Sequence, residues 1–393
     1  MTDGILRKFC VVCGGSVMMP AAHLARFPVF QGTVTTPQGA NELAPIVWLA
    51  CSSCGSAQVE TLPPRAAIYQ AGHATGLGAS WARHHAAFAA FIKDEAQGAI
   101  ADIGGGSGTL ALAYRNAGGL ADWTILEPNA VTTPDLPRDI AIAVGFLDSV
   151  SLRDVAPRTA VLCHVLEHLP ALQDAVATLS ACETLTRVLI AWPVLERWVA
   201  RGLAGALNFE HCTYVTRATL IALFAAQGWH LHAQADWPEN DTAFLSFARG
   251  EKVARHTLSA SPRETIDAIA GYYAHFQIAA LRIERAVAMH RGDAFLMPAS
   301  VYTQTLLMSG LKETRFRAVL DNAPQKQGGR LYGTALPVAA PAQALGDADH
   351  PLVVLNGGAH CVEIIRGLKD IRGDAEIVKV SEGTMHGDRA TAQ

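Results

Sequence analysis

Residues 99–110 read AIADIGGGSGTL, an apolar run of strand length followed by a glycine-rich turn and the start of a helical stretch. Glycines in such a turn let the backbone approach a bound cofactor where side chains would collide. The dinucleotide fingerprint needs Gly or Ala three residues after its second Gly, and Thr109 stands there when the count starts at Gly106. The spacing is instead Asp-x-Gly-x-Gly-x-Gly, formed by Asp102, Gly104, Gly106 and Gly108.

The segments around this turn alternate between strand-like and helix-like sequence. From Tyr69 to about Phe247, Ala/Leu-rich helical stretches separate apolar runs of strand length, which are Ala99–Ile103, Trp123–Leu126, Ala160–Leu162 and Val188–Trp192. This alternation predicts a parallel sheet with helices on both faces, because parallel strands need crossover connections. The expected fold class is therefore α/β.

A second, smaller α/β unit is expected after this one. Apolar positions recur at helical spacing over roughly Pro262–Met289, which predicts a long helix. Beyond it, strands are expected at Phe295–Ser300, Phe316–Leu320 and Leu352–Leu355, and a helix at Val362–Leu368. These changes divide the 393 residues into three expected domains, 1–68, 69–250 and 251–393.

The composition of the chain excludes some classes of protein and of binding partner. Half of the residues are hydrophobic and 17% are charged, so the chain is too apolar to be intrinsically disordered. Its 31 Lys and Arg against 35 Asp and Glu give a formal charge of −4, which excludes a mainly electrostatic nucleic-acid binder and favours a small-molecule partner. No apolar run approaches the ~20 residues that span a bilayer, and the first residues lack the apolar region of a signal peptide. We expect a cytoplasmic protein with no membrane partner.

Four of the eight cysteines form two tight pairs. Cys10 with Cys13, and Cys51 with Cys54, make a CxxC…CxxC pattern in which glycine follows each pair. A two-residue gap lets both thiolates point at one tetrahedral ion, and in a reducing compartment such pairs indicate metal rather than a disulfide. We expect a structural Zn²⁺ in residues 1–68, because four thiolates leave no open coordination position. Unpaired or redox-active thiols are the alternative.

The turn at residues 104–108 resembles the first motif of class I S-adenosylmethionine (SAM) methyltransferases. The resemblance implies a Rossmann-like domain that binds SAM through Asp102 and the turn glycines, and through Glu127, where a carboxylate can accept hydrogen bonds from both ribose hydroxyls. It also implies cofactor contacts from Phe146, Leu147 and His164, which lie in segments similar to those after the family's third and fourth strands.

Other interpretations of these residues stay open. The glycines could form an ordinary turn or another nucleotide site, and Asp148 could simply cap a helix. Glu167 and His168 most often serve helix packing or a solvated face in this family.

The order of the three domains resembles that of bacterial sugar C-methyltransferases, which methylate C3 of nucleotide-activated 4-keto-deoxysugars. The resemblance covers essentially the whole chain, and residues 319–338 and 354–360 are similar to that family's C-terminal domain. It implies a C-terminal α/β domain that closes over the acceptor, a nucleotide-linked keto-sugar. The alternative for residues 321–333 is a polar loop.

A carbon next to a ketone becomes nucleophilic only after a base removes its proton, and the enolate then needs stabilisation. A base should have a pKa near the operating pH, which favours His with a carboxylate partner. The segment Asn208–Tyr214 is similar to the family's Tyr-His-Glu-His segment and matches it at Glu210 and His211. The resemblance therefore implies His211 as the base and Glu210 as its orienting partner, with His73 or Tyr214 near the oxyanion.

Several positions depart from that family's pattern. Asn208 and Phe209 stand where the family has Tyr and His, His73 stands on a Tyr position, and Cys163-His164 replaces Asn-Asn. His73 and His164 could be substituted acid–base groups. The acceptor could thus be another sugar or a different carbon acid, and two rival functions stay open: methyl transfer to oxygen or nitrogen of a biosynthetic intermediate, and a non-catalytic SAM- or sugar-nucleotide-binding protein.

Overall fold

The computed structural model describes residues 4–35, 41–69, 79–130, 135–250, 261–356 and 361–380. Its first elements are β1 (Ile5–Leu6), β2 (Met18–Pro28), β3 (Thr33–Val34), β4 (Leu43–Cys51), β5 (Ala57–Val59), β6 (Thr61–Leu62) and the short helix α1 (Arg65–Ile68). Strands β2, β4 and β5 pair antiparallel in that order, and β1 pairs with β6. Buried and less buried side chains alternate along β4, as in a sheet that packs one face on a core.

Strands and helices alternate through the middle of the chain. The elements are α2 (Ala79–Glu95), β7 (Ile100–Ile103), α3 (Thr109–Asn116), β8 (Trp123–Leu126), β9 (Ile140–Ala143), α4 (Ser149–Val155), β10 (Thr159–Cys163), the 3-10 turn Leu166–His168, α5 (Leu172–Ala181), β11 (Arg187–Pro193), α6 (Leu195–Ala200), β12 (Thr213–Tyr214), α7 (Arg217–Ala226), β13 (Trp229–Trp237) and β14 (Thr242–Arg249). The short strand β12 is the exception, because it leaves this unit and pairs with β5 of the N-terminal sheet.

The central sheet has seven strands in the order β9-β8-β7-β10-β11-β14-β13. Strand β14 runs antiparallel to both of its neighbours, whereas the remaining pairings in the sheet are parallel. Counted along the chain this order is 3-2-1-4-5-7-6, a Rossmann-like sheet of the class I methyltransferase type, so the predicted fold class is confirmed. The connections leave in opposite directions at β7 and β10, and in such sheets a ligand crevice lies outside the carboxyl ends of those strands.

The remaining elements form a second parallel sheet preceded by a long helix. They are α8 (Pro262–Met289), β15 (Ala294–Met297), α9 (Val301–Met308), the 3-10 turn Glu313–Arg315, β16 (Ala318–Leu320), the 3-10 turn Pro324–Lys326, β17 (Arg330–Leu331), β18 (Val338–Ala339), α10 (Pro341–Gly346), β19 (Leu352–Leu355), α11 (Cys361–Ile371) and β20 (Glu376–Lys379). The sheet order is β18-β16-β15-β19-β20, and β17 pairs with β3.

The predicted elements occur where the sequence indicates, with shifted ends. The long helix spans Pro262–Met289, as the apolar spacing predicts. The strand expected at Phe295–Ser300 ends at Met297, because Pro298 has no N–H to continue a ladder. The strand expected to begin at Phe316 begins at Ala318.

One apolar core connects the N-terminal sheet, one face of the central sheet, α8 and the C-terminal unit. Helix α8 contributes polar bridges to this core. The Tyr273 hydroxyl accepts a hydrogen bond from Trp48 Nε1 (2.8 Å) in β4 and donates to the carbonyl of Leu207 (3.4 Å). The Tyr272 hydroxyl bonds the carbonyls of Leu203 and Ala204. Helix α8 thus fixes the chain that leads into Asn208.

Among the described residues, none of the helices combines the length and the apolar character that a bilayer crossing needs.

Candidate functional site

The glycine turn begins where β7 ends, at the crevice edge of the central sheet. Gly104, Gly106 and Gly108 have φ values of +67°, +55° and +85°, in the left-handed region. A Cβ on Gly106 would meet no atom within 4 Å, so its Cα faces open space. A Cβ on Gly104 would lie 2.9 Å from Val165 Cγ2, which shows that the residue after His164 packs against the turn.

Two carboxylates border this turn. Asp102 is fully buried at the end of β7, and neither of its oxygens has a hydrogen-bond partner among the described residues. Burial raises the pKa of Asp102 to about 7. Glu127 follows β8, and its carboxylate accepts hydrogen bonds from the Gly106 N–H (3.2 Å) and the Asn129 N–H (3.0 Å).

The segment after β9 supplies an exposed aromatic ring. The Phe146 side chain is 50% exposed, and the Arg65 guanidinium lies 4.5 Å from its ring centroid. Leu147 is half-buried against the main core. Asp148 caps α4, accepting a 2.8 Å hydrogen bond from the Ser151 N–H that lowers the pKa of Asp148. The structure thus contains the helix cap that the sequence leaves open for Asp148.

His164 lies beside β10 at the same edge. Its φ of +53° is left-handed, and its Nδ1 lies 3.1 Å from Glu167 Oε1. Its Nε2 lies 3.5 Å from Thr242 Oγ1 in β14. Burial lowers the pKa of His164 to about 4, so the imidazole is neutral at pH 7.

Two Glu-His dipeptides meet at the centre of the site. The 3-10 turn holds Glu167 and His168, and the loop before β12 holds Glu210 and His211. The His168 and His211 rings lie 4.7 Å apart between centroids, at 70°. Polar atoms of Glu167, His168 and His211 all lie within 4.8 Å of one another, and the Tyr69 hydroxyl lies 3.3 Å from His168 Nδ1. We call Tyr69, Glu167, His168, Glu210 and His211 the Glu-His cluster.

Burial dominates the electrostatics of this cluster. It lowers the pKa of His211, against the opposing effect of the Glu167 and Glu210 carboxylates. It raises the pKa of Glu167 to about 7 and the pKa of the Tyr69 hydroxyl far above its usual value. His211 Nδ1 is buried and has no hydrogen-bond partner among the described residues. At pH 7 the cluster therefore holds a neutral imidazole that can accept a proton and a phenol that can donate a hydrogen bond.

Asn208 shapes the loop that carries Glu210 and His211. Its Oδ1 accepts hydrogen bonds from the backbone N–H groups of both residues, each at 2.8 Å, and its Nδ2 donates to the Gly205 carbonyl. Phe209 is buried with its ring edge-on to Phe27, 6.0 Å between centroids. Two of the positions that depart from the sugar C-methyltransferase pattern, Asn208 and Phe209, thus serve the turn and the core.

Arg7 ties the N-terminal segment to the end of that loop. Its guanidinium donates to the carbonyls of Cys212 (2.6 Å) and Val59 (2.8 Å) and to Thr213 Oγ1 (3.1 Å). The Val59 N–H also donates to the Cys212 carbonyl. The residues immediately after His211 are therefore held by the sheet whose strands surround the cysteines.

The remaining expected site residues lie elsewhere. Tyr214 is in β12, opposite Ala57, and is buried in the main core. Burial raises the pKa of Tyr214, and Glu196 adds to that rise. Within the described contacts, Tyr214 does not join the Glu-His cluster. His73 lies outside the described residues.

The four paired cysteines converge on one point. The Sγ atoms of Cys10 and Cys54 lie 3.6 Å apart, those of Cys13 and Cys51 also lie 3.6 Å apart, and all four lie within 4.8 Å of one another. A tetrahedral ion with Zn–S bonds of ~2.3 Å separates its sulfurs by roughly 3.8 Å. The donor set and its spacing fit such an ion.

Sequence reasoning missed part of this arrangement. Glu167 is 1% exposed, and its carboxylate lies 3.1 Å from His164 Nδ1 and within 4.8 Å of a His211 ring nitrogen. The sequence instead favoured helix packing or a solvated face for Glu167. The sequence pattern gives Tyr69 no role beyond the start of the central unit. The available signal was the repeated Glu-His dipeptide, and it becomes informative only once the two loops are known to be neighbours.

Comparisons with known proteins give matches to solved structures only. No protein-family model and no curated protein matches the chain. CalO1, a methyltransferase in calicheamicin biosynthesis in an SAH-bound form, is 20% identical over 44% of this chain and 54% of its own, with a TM-score of 0.35. RosA from Streptomyces davawensis, N,N-8-amino-8-demethyl-D-riboflavin dimethyltransferase, is 17% identical over 43% and 55%, with a TM-score of 0.36.

A third match is the magnesium protoporphyrin IX methyltransferase ChlM from Synechocystis PCC 6803 with bound SAH. It is 15% identical over 45% of this chain and 91% of its own, with a TM-score of 0.33. The chain therefore matches only about half the length of CalO1 and RosA. The sheet order of residues 79–250 defines the fold independently of these overlaps.

Proposed function

We propose that this protein is a SAM-dependent methyltransferase that methylates a carbon next to a ketone in a nucleotide-activated deoxysugar. The observation that carries the proposal is the packing of Val165 against Gly104. Because Val165 directly precedes the turn with Glu167 and His168, this contact places the glycine turn and the Glu-His cluster side by side at the crevice edge. A donor site and a base site in one crevice are what carbon methylation requires.

The residues of the glycine turn fit the cofactor. Gly106 faces open space that a side chain would occupy, and Asp102 holds buried oxygens without a hydrogen-bond partner among the described residues. Glu127 presents a carboxylate beside Gly106, where it can accept hydrogen bonds from a diol. We assign these residues to the cofactor, with Gly104, Gly108, Phe146, Leu147 and His164 as further proposed contacts. When bound, SAM supplies an activated methyl group as a sulfonium.

The Glu-His cluster performs the proton chemistry in this proposal. His211, neutral at pH 7, accepts the proton from the carbon next to the ketone. The Glu210 carboxylate stabilises the imidazolium that forms. The protonated Tyr69 hydroxyl donates a hydrogen bond to the developing enolate oxygen. His73 and Tyr214 stay predictions for that oxygen, and the buried position of Tyr214 favours Tyr69 over it.

The flanking units hold the cluster in place. We assign residues 1–68 to a structural Zn²⁺ module whose ligands are Cys10, Cys13, Cys51 and Cys54, which supports the His211 loop through Arg7 and β12. We assign residues 251–393 to a domain that closes over the acceptor. Support for that assignment comes from α8, whose Tyr272 and Tyr273 bond the backbone that leads into Asn208.

The test separates binding from chemistry. The full chain is incubated with a nucleotide-activated 4-keto-deoxysugar in deuterated water without SAM, and deuterium at the carbon next to the ketone is followed by NMR. We expect exchange that depends on His211, then a C-methylated product when SAM is added. The His211→Gln variant should lose exchange by ~10²–10⁴-fold while it retains SAM affinity.

The matched control is His232→Gln, because His232 is exposed on β13. It should exchange and methylate as the wild type does. SAM binding with no exchange in the wild type, or equal exchange in both variants, would contradict the carbon chemistry. Absence of SAM binding would contradict the whole proposal.

A further inference from the structure

A second group of metal-ligating side chains lies outside the Glu-His cluster. His84 and His85 in α2 and Cys163 at the end of β10 bring one potential ligand atom each within 4.8 Å of the others. His84 is 0% exposed, and neither of its ring nitrogens has a hydrogen-bond partner among the described residues. A buried polar atom without a partner is unfavourable, so the unprotonated nitrogen of this ring calls for a ligand.

Aromatic rings surround the His84 side chain. Trp81 lies edge-on to His84 and to His164, with centroids 5.3 and 5.2 Å away, and the His84 and His164 rings lie 5.1 Å apart. Phe244 closes the other side of His84 at 5.4 Å. Among the described residues, these rings offer the His84 nitrogens no hydrogen-bond partner.

We propose that His84, His85 and Cys163 bind a transition-metal ion of the zinc or copper class. Imidazole and thiolate are the ligands that these ions prefer, whereas Mg²⁺ and Ca²⁺ prefer oxygen. Binding forms a metal–sulfur bond and releases the Cys163 proton to solvent. Three protein ligands leave one coordination position open, which distinguishes this site from the four-thiolate site.

The proposed metal site, with its open coordination position, lies near the glycine turn. Strand β10 pairs with β7, with Val161 opposite Asp102, so Cys163 lies at the same sheet edge as the glycine turn. The carbon methylation proposed above does not need a metal there. The inference therefore stands whether or not that function is correct.

Metal stoichiometry of the full chain tests it. Protein stripped with a chelator is dialysed against Co²⁺, then against Zn²⁺, and bound metal is measured by elemental analysis together with the thiolate-to-cobalt absorption band. The Cys163→Ser and His85→Gln variants should each bind one equivalent less than wild type. The cobalt spectrum that remains in each variant should be that of the four-cysteine site alone.

Cys182→Ser is the matched control, because Cys182 is a half-buried cysteine at the end of α5 with Thr184 as its partner. It should bind as much metal as the wild type. The inference is overturned if His85→Gln binds the same number of equivalents as Cys182→Ser with the same spectrum. His85 is partly exposed, so this variant decides the question even if Cys163→Ser fails to fold.

Discussion

The imidazole rings of His168 and His211 lie 4.7 Å apart, although 43 positions separate them in the chain, and each directly follows a glutamate. One pair stands on the turn after β10, and the other stands on the loop before β12, which belongs to the N-terminal sheet. The cluster therefore forms only when the two sheets are packed together.

The pH dependence of α-carbon exchange should report the state of His211. Burial lowers the pKa of His211, so its basic form persists below the ordinary histidine pKa of ~6.5. We expect the rate of exchange to be constant from pH 8 down to that value and to fall only at lower pH. Rates of deuterium incorporation across pH 4–9 check this. A fall that begins above ~6.5 would contradict the lowered pKa.

Gly106→Ala should weaken SAM binding at little cost in stability. The new methyl group would enter open space beside the crevice, while its left-handed φ costs about 1 kcal/mol. Gly228→Ala is a matched control, because Gly228 also has a positive φ and nothing within 4 Å of its Cβ position. Calorimetric titration with SAM and denaturant unfolding should show equal destabilisation but a loss of affinity only at Gly106. Equal SAM affinities in the two variants would show that the turn is not part of the SAM-binding site.

Asp102→Asn should change how stability depends on pH. Because burial raises the pKa of Asp102 to about 7, the folded ligand-free protein binds more protons than the unfolded chain between pH ~4 and ~7. Its contribution to the free energy of unfolding is therefore largest below pH 4 and is lost as pH rises through 7, a difference of about 4 kcal/mol for about three pKa units. His164 and His211, whose pKa values are lowered, contribute with the opposite sign.

The difference between Asp102→Asn and wild type isolates the Asp102 term. Denaturant unfolding of SAM-free protein from pH 4 to pH 8 should show the variant gaining relative stability as pH rises. A difference that does not change with pH would mean that the Asp102 carboxyl titrates normally.

Cys51→Ser should release about one zinc ion and loosen the N-terminal sheet. Loss of one thiolate from the four-cysteine site should remove the proposed metal, and with it the metal's contribution to folding. Since Arg7 and Val59 hold the Cys212 carbonyl, methyl transfer should fall while SAM affinity persists. Elemental analysis, hydrogen exchange of residues 43–59 and a SAM titration measure the three effects, with Cys182→Ser as control. Unchanged exchange protection without zinc would contradict a structural metal.

Asn208→Ala should destabilise the loop that carries Glu210 and His211. Two backbone N–H groups would lose their acceptor, at a cost of roughly 1–2 kcal/mol. Asn208→Asp keeps an acceptor for both N–H groups but loses the donor to the Gly205 carbonyl, so it should restore only part of the stability. The rate of α-carbon exchange should follow the same order, with wild type fastest, Asn208→Asp next and Asn208→Ala slowest. Equal rates in the two variants would show that the loop does not need this turn.

The local pattern of the sequence predicts elements well but contacts poorly. The strands around residues 99–110, the helix Pro262–Met289 and the convergence of the four cysteines follow from periodicity and spacing. The meeting of Glu167 with His211 does not, because it depends on how two distant loops pack. Asn208 illustrates the same limit. In the sequence it is only a departure from the family's motif, whereas in the structure its side chain accepts hydrogen bonds from the backbone N–H groups of Glu210 and His211.

The pairing of β12 with β5 bears on biosynthesis of the chain. Val59 is made about 150 residues before its partner Cys212, and at ~5–20 residues per second the ribosome needs roughly 8 to 30 s to cover that interval. During this time the free edge of β5 has no strand to cover it, since Thr213 and Tyr214 do not yet exist. The nascent N-terminal sheet must therefore await the later segment before its edge is closed, and chaperone binding during synthesis would be most useful over this interval.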